Sequence, residues 1–404
     1  MSNATHNQTD SGLAELLNQI VSATKKNQHL LAEILAEIIQ DKESAGTSHP
    51  EITALLSQIV GAMEKNQQGF VEKKALTAAE ISALWLQYMG DSMSVCVYKY
   101  FLNIVEDAQI KPILELALQL AESHITQIRQ FLKSANFQIP IGFTDSDVNL
   151  SAPRLFSDSF LLFYSNIMTI HGLTAYSLAV TSSEREDIQN YFFDCIATTK
   201  DLFQKITSLA KTQTEYTGVP SIPSPHGVAF VDSMGIIENL FGSKRPLNIS
   251  ELTNLFFNSK KTGFVSSLSL AFSQVAEREE VRKFMLKNVK LAGKDTDSFN
   301  ELLMQDNLPV PARWDAEITD STISPFSDKL MMFHAAFLVN AALSYYAAAV
   351  GSSLRSDMIA NYKNVMNHAM QAGIDCYHIM VKHGWLEKQP EAIDRNALAQ
   401  GSDR

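Results

Sequence analysis

Hydrophobic and polar positions recur along this chain in a pattern that predicts helices almost throughout. Leu330–Val350 runs for 21 residues without Asp, Glu, Lys or Arg, and Leu161–Val180 has the same character. A helix apolar on every side is either a membrane span or the buried centre of a helical domain. Both stretches carry His, Asn, Ser and Tyr, which are costly in lipid, so we expect buried centres and no membrane span. Around them the 3.6-residue rhythm predicts helices near Ala79–Val105, Ile113–Lys133, Ser157–Val180 and Glu184–Lys211. Four more follow near Ser250–Val275, Val281–Leu303, Ser327–Val350 and Leu354–His383. Ser157 and Ser327, each followed by Asp, suit N-terminal caps.

The second set of four is a copy of the first. LTAAEISALW (Leu76–Trp85) aligns with LNISELTNLF (Leu247–Phe256) at a shift of 171, which also places Glu106 on Glu277. After a one-residue slip, Arg185 and Asp187 fall on Arg355 and Asp357. Self-similarity on this scale marks duplication of a whole domain. Within each copy the loops are short, long and short, the long one bearing prolines, and that order is the connectivity of ferritin-like bundles. The expected fold is therefore all-α: two tandem ferritin-like four-helix bundles with a helical N-terminal extension. The expected divisions are an extension over 1–75, bundles over 76–213 and 247–390, and a tail over 391–404. Between the bundles, 214–246 is a linker with a short helix over Val228–Phe241.

The extension holds a smaller repeat. LLNQIVSATKKNQ (Leu16–Gln28) returns as LLSQIVGAMEKNQ (Leu55–Gln67), and each copy spaces its apolar residues by alternating threes and fours. Asn27 and Asn66 occupy the same place in that seam, where a polar residue sets register or partner number. Two helices packed as a hairpin, and a device for self-association, fit the pattern equally.

Composition narrows the function. With 33 basic against 44 acidic residues the net charge is -11, which disfavours a nucleic-acid partner. Cys96, Cys195 and Cys376 have neither zinc spacing nor an even disulfide set, and the N-terminus lacks a secretory pattern. A reducing, cytoplasmic setting is expected.

A ferritin-like bundle poses the question of a metal, because di-iron versions carry Glu-x-x-His on two helices. None occurs at the middle of a predicted bundle helix here. His124 falls on the core face of its helix with no adjacent carboxylate on that helix, which suits a hydrogen-bonded core histidine more than a ligand. His368, Asp375 and His378 share a stripe of the last bundle helix, and His334 on the preceding helix could join them. That helix also has an apolar stripe, Met366, Met370, Ile374, Tyr377 and Val381, which we expect to face the core and leave the His/Asp stripe solvated. His124, His334, His368, Asp375 and His378 are thus the candidate metal ligands. No cofactor is expected, with iron or manganese the choice if the bundle does bind one. No Walker loop, nucleophile elbow or His-Glu-x-x-His motif is present, so no catalytic residues are assigned.

Several blocks recur together: DSMSVCVYKYFL (Asp91–Leu102), IPIGFTDSDVNLSAPRLFSDSF (Ile139–Phe160), FGSKRPLN (Phe241–Asn248), SPFSDKLMMFH (Ser324–His334) and HGWLEKQP (His383–Pro390). They resemble a family of duplicated ferritin-like proteins of spore-forming bacteria, domain-of-unknown-function family 3231, similar in its bundle to spore coat protein F. The resemblance implies the fold and a sporulation setting, and no established activity. Where that family often has a Lys-His pair on the second helix of each copy, this chain has Ser123-His124 and Lys294-Asp295. The expected role is non-enzymatic, structural or interaction-based, with self-association through the N-terminal helices. A metal-binding oxidase or storage protein is the alternative.

Overall fold

The structure, a computed structural model, describes residues 75–212, 218–230 and 245–400. The chain divides into Met1–Ala75 and Leu76–Arg404, and the second unit is the one described below. The paired N-terminal helices lie outside the described residues, as does most of the helix expected at Val228–Phe241. Residues 228–230 are not helical.

Among the described residues, eight long helices build the unit: α1 Ala78–Ile104, α2 Lys111–Ser134, α3 Asp158–Ser182, α4 Glu186–Thr212, α5 Ile249–Val275, α6 Glu279–Gln305, α7 Asp328–Ser352 and α8 Ser356–Lys382. A short α9 follows at Arg395–Gln400. Their ends are chemically marked, several of them at equivalent positions in the two copies. Thr77 with Glu80, and Asn248 with Glu251, close capping boxes on α1 and α5. Ser157 and Ser327 cap α3 and α7 through their hydroxyls. Asn136 and Asn307 end α2 and α6 in the left-handed region (φ 52° and 55°), which lets the following amide reach back to Leu132 and Leu303.

In each copy the first and second helices pack together, the third with the fourth, the first with the third, and the second with the fourth. The second and third therefore occupy opposite corners, and the long connections 135–157 and 306–327 carry the chain between them. Outer cores close one end of each bundle: Leu84, Ile128, Ile188 and Phe192 in copy 1, and Leu255, Phe299, Met358 and Tyr362 at the matching positions of copy 2.

At the other end the two copies share a single core. It runs from Met93, Phe101 and Phe160 of copy 1 into Phe264, Phe272, Leu330 and Met332 of copy 2. The long connections interleave there with two-fold reciprocity. Val148 bridges Phe326 while Phe156 bridges Ile318. Asn149 N–H donates to Pro325 O (2.8 Å) and Thr319 N–H to Leu155 O (2.9 Å). Ser157 N–H donates to Glu317 O (2.9 Å) and Ser327 N–H to Asp147 O (3.0 Å). Within each pair the second contact is the first with the copies exchanged. Such self-complementary pairing is the signature of a two-fold dimer interface, formed here inside one chain.

α7 is long and apolar enough to cross a membrane by length and composition, and here it lies against α8, α5 and α1. α8 corrects an expectation. Its buried face is Met358, Tyr362, Val365, Ala372, Gly373, Cys376 and Met380, whereas Met370, Ile374, Tyr377 and Val381 are exposed. Small residues decide this. A Cβ at Gly373 would come within 3.3 Å of Val339, so Gly373 and Ala372 let α8 lie close against α7. Counting large apolar side chains therefore chose a side roughly a third of a turn away from the core, of which only the half-buried Met366 packs against it. Copy 1 has Lys200, Gln204, Thr207 and Lys211 where copy 2 exposes that stripe.

Candidate functional site

The polar residues repeated between copies hold helix ends together. Glu80 accepts the amides of Glu184 (3.0 Å) and Arg185 (2.8 Å), and Glu251 accepts those of Leu354 (2.9 Å) and Arg355 (3.1 Å). Each carboxylate thus caps its own helix and fastens the turn between the third and fourth. Asp158 likewise accepts the amide of Asp107 (2.8 Å), and Asp328 those of Glu277 (3.0 Å) and Arg278 (2.9 Å). The recurrence of Glu106 and Glu277 marks the turn these aspartates fasten. Arg185 and Arg355 form forked pairs with Asp187 and Asp357. These are structural duties, satisfying amides that helix ends would otherwise leave open.

On the dyad, Tyr164 and His334 are equivalent positions of the two copies, and their side chains meet at 2.7 Å between the hydroxyl and Nε2. His334 is fully buried, and burial pulls it down to about 4, so it is neutral at pH 7. His334 is bonded to Tyr164 rather than gathered with the α8 candidates. His171, one copy's departure from symmetry, meets the Tyr345 hydroxyl at 3.1 Å.

His124 is better supplied than its own helix suggested. Asp91 of α1 faces it across the bundle, with Oδ2 3.2 Å from Nδ1, at ion-pair distance though off the line of a hydrogen bond. The expectation of a histidine without a carboxylate considered only α2, and the bundle brings the acid from α1. Ala117 and Ala121 on the preceding turns are buried and leave room for the ring. Burial would lower its pKa, but Asp91 outweighs this and holds it well above the usual imidazole range. The ring meets Tyr176 and Tyr191 edge-on at 5.9 and 6.2 Å. The Cys195 thiol of α4 also borders it, and Gln87 Nε2 stands 3.7 Å from that sulfur. Sequence reasoning missed Asp91 and Cys195, although Asp91 is the lone acid inside an otherwise acid-free stretch between Glu80 and Glu106.

Copy 2 builds its centre differently. Asp295, in the place of His124, pairs with His368 at 2.7 Å. Thr262, in the place of Asp91, meets the Tyr346 hydroxyl at 2.6 Å. Asp375 instead binds Lys287 (2.6 Å) and Gln371 (2.8 Å), and His378 is exposed. His368, Asp375 and His378 are thus not drawn to a common point, and His334 lies in the shared core. Among the described residues no three His, Cys, Asp or Glu side chains are grouped to hold a metal ion. Lys261 of α5 is buried with Nζ 2.9 Å from the Tyr345 ring centre and 3.8 Å from that of Phe257, beside a cavity of about 20 Å³ also lined by His171 and Thr262. That is room for about one water.

The family described as protein of unknown function (DUF3231) matches the chain twice, over residues 64–225 and 235–398. None of the curated proteins matches it. Among solved structures, one described as a candidate spore coat protein of Bacillus halodurans C-125 is 19% identical, with a TM-score of 0.33, covering 38% of this chain and 98% of that one.

Proposed function

We propose, given that this chain belongs to the DUF3231 family of proteins of unknown function, that it is a non-enzymatic structural or interaction protein. In this reading two degenerate ferritin-like bundles are fused as an internal dimer. The observation that carries it is the reciprocity of the interleaved connections, in which Ser157 to Glu317 and Ser327 to Asp147 are one contact made twice. A covalent link makes that interface intramolecular, so pairing no longer depends on protein concentration. The interior of each bundle is then filled by side chains, and the protein's work falls to its outer surfaces.

Self-association through the N-terminal seam is part of the proposal. Sedimentation of the full chain against a chain beginning at Leu76 tests it. The full chain should sediment as a defined oligomer and the shorter chain as a monomer. Equal subunit numbers would end the self-association role. The metal-binding alternative is tested on protein purified without chelators, where stoichiometric iron or manganese would overturn the scaffold reading. The cytoplasmic, spore-associated setting implied by the resemblance belongs to the same proposal. A fluorescent fusion followed through sporulation should concentrate at the forespore, and a uniform signal at every stage would remove that setting.

A further inference from the structure

All three cysteines are free and buried, yet one sits in a different chemical environment from the others. Cys96 donates its S–H to Thr144 O (3.3 Å) and Cys376 to Met332 O (3.2 Å). Burial pushes both thiols up to about 12. These are small hydrophobes with a satisfied donor, and such thiols are inert. Cys195 makes the opposite kind of contact. Its sulfur accepts from Gln87 Nε2 at 3.7 Å, and it borders the His124 ring and the Tyr191 hydroxyl.

The surroundings of that sulfur are also incompletely bonded. Gln87 Oε1 and Tyr191 OH are buried polar atoms without a hydrogen-bond partner, while Asp91 Oδ2 and His124 Nδ1 face each other at 3.2 Å without the alignment of a hydrogen bond. Gln87, His124 and Tyr191 are each at least nine-tenths buried, and the Asp91 side chain keeps 13% exposure. An open amide oxygen and an open hydroxyl beside one thiol suit a small polar guest that can both give and take hydrogen bonds. The copies agree that this is a local device. Copy 2 has Val365 in the place of Cys195, Asp295 for His124 and Thr262 for Asp91.

We propose that Cys195, with His124, Asp91, Gln87 and Tyr191, is a peroxide-reactive site at which hydrogen peroxide converts the thiol to sulfenic acid. The sulfur attacks one peroxide oxygen, forming the S–O bond as the O–O bond breaks. His124 gives its ring proton to the departing hydroxide, which leaves as water, and recovers the proton that the thiol loses. Sulfur gives up two electrons and the peroxide oxygens take them. Gln87 and Tyr191 supply hydrogen bonds to the peroxide and then to the sulfenic oxygen. Asp91 acts as a positioning residue that keeps the imidazole charged. Cys96 and Cys376 belong to the shared core rather than to this centre, so the product is returned to the thiol by an external thiol and not by an internal disulfide.

The test uses the full chain, pulsed with hydrogen peroxide in the presence of dimedone, with each cysteine peptide quantified by mass spectrometry. Cys195 should be trapped at least about 10-fold faster than Cys96 or Cys376, which are equally buried and serve as internal controls. His124→Gln and Asp91→Asn should each slow Cys195 by about 10-fold while leaving the other two unchanged. Asp91→Asn keeps the shape of the cluster, so it tests the charge if His124→Gln fails to fold. Equal trapping of all three thiols, or trapping of Cys195 only after denaturation in urea, would overturn the proposal. An Asp91→Asn variant that folds and reacts as fast as the parent would remove the imidazolium from it.

Discussion

Glu251→Gln tests the claim that repeated carboxylates, rather than packing alone, fasten the turns of this fold. Glu251 is fully buried. Its oxygens accept from the amides of Asn248 (3.0 Å), Leu354 (2.9 Å) and Arg355 (3.1 Å) and from the Arg245 guanidinium (2.7 and 2.9 Å). Burial would raise its pKa, but Arg245 and the three amides outweigh it and hold the group at about 2, against 4.5 for the unconstrained side chain. At ~1.4 kcal/mol per pH unit, that displacement contributes roughly 2–4 kcal/mol at neutral pH. Because the folded-state value is depressed, the contribution is complete above about pH 4.5 and drains away as pH falls toward 2. Gln keeps the shape but places an NH₂ against donors that the carboxylate accepted. Urea denaturation followed by far-UV circular dichroism should show the variant destabilised by roughly 2–4 kcal/mol at pH 7, and by less than about half of that at pH 3. A loss that is the same at both pH values, or below about 0.5 kcal/mol at pH 7, would refute the argument. Glu80→Gln should follow the same pH direction in copy 1.

Two further substitutions probe the interior. Burial depresses Lys261 to about 6 from 10.5, so its cost is complete below pH 6 and fades as pH rises toward 10.5. Lys261→Met should therefore stabilise by about 1–3 kcal/mol at pH 6, after the Phe257 and Tyr345 rings have offset part of the burial cost, and the gain should shrink steadily above pH 7. A gain that does not change with pH in urea titrations would mean the lysine is not paying for its charge. Tyr164→Phe deprives buried His334 of its partner across the dyad and should cost about 1–2 kcal/mol of stability. Unchanged urea midpoints would show that the bond contributes nothing.

The sequence alone determined the helices, their caps and the duplication, because each rests on local chemistry. Thr77 with Glu80 and Asn248 with Glu251 cap whichever helix they begin, and the equivalence of the copies is written in the order of residues. Which residues meet across the bundle was decided only by tertiary structure. Asp91 reaches His124 from another helix, and Asp295 takes His368 from the stripe that sequence spacing had assigned to a ligand set. The buried face of α8 was missed for the same reason, since Ala372 and Gly373 pack by letting another helix approach and not by hydrophobic bulk. The dyad itself has no local signature. It exists because two copies of one surface, folded on the same chain, can each satisfy the backbone groups of the other.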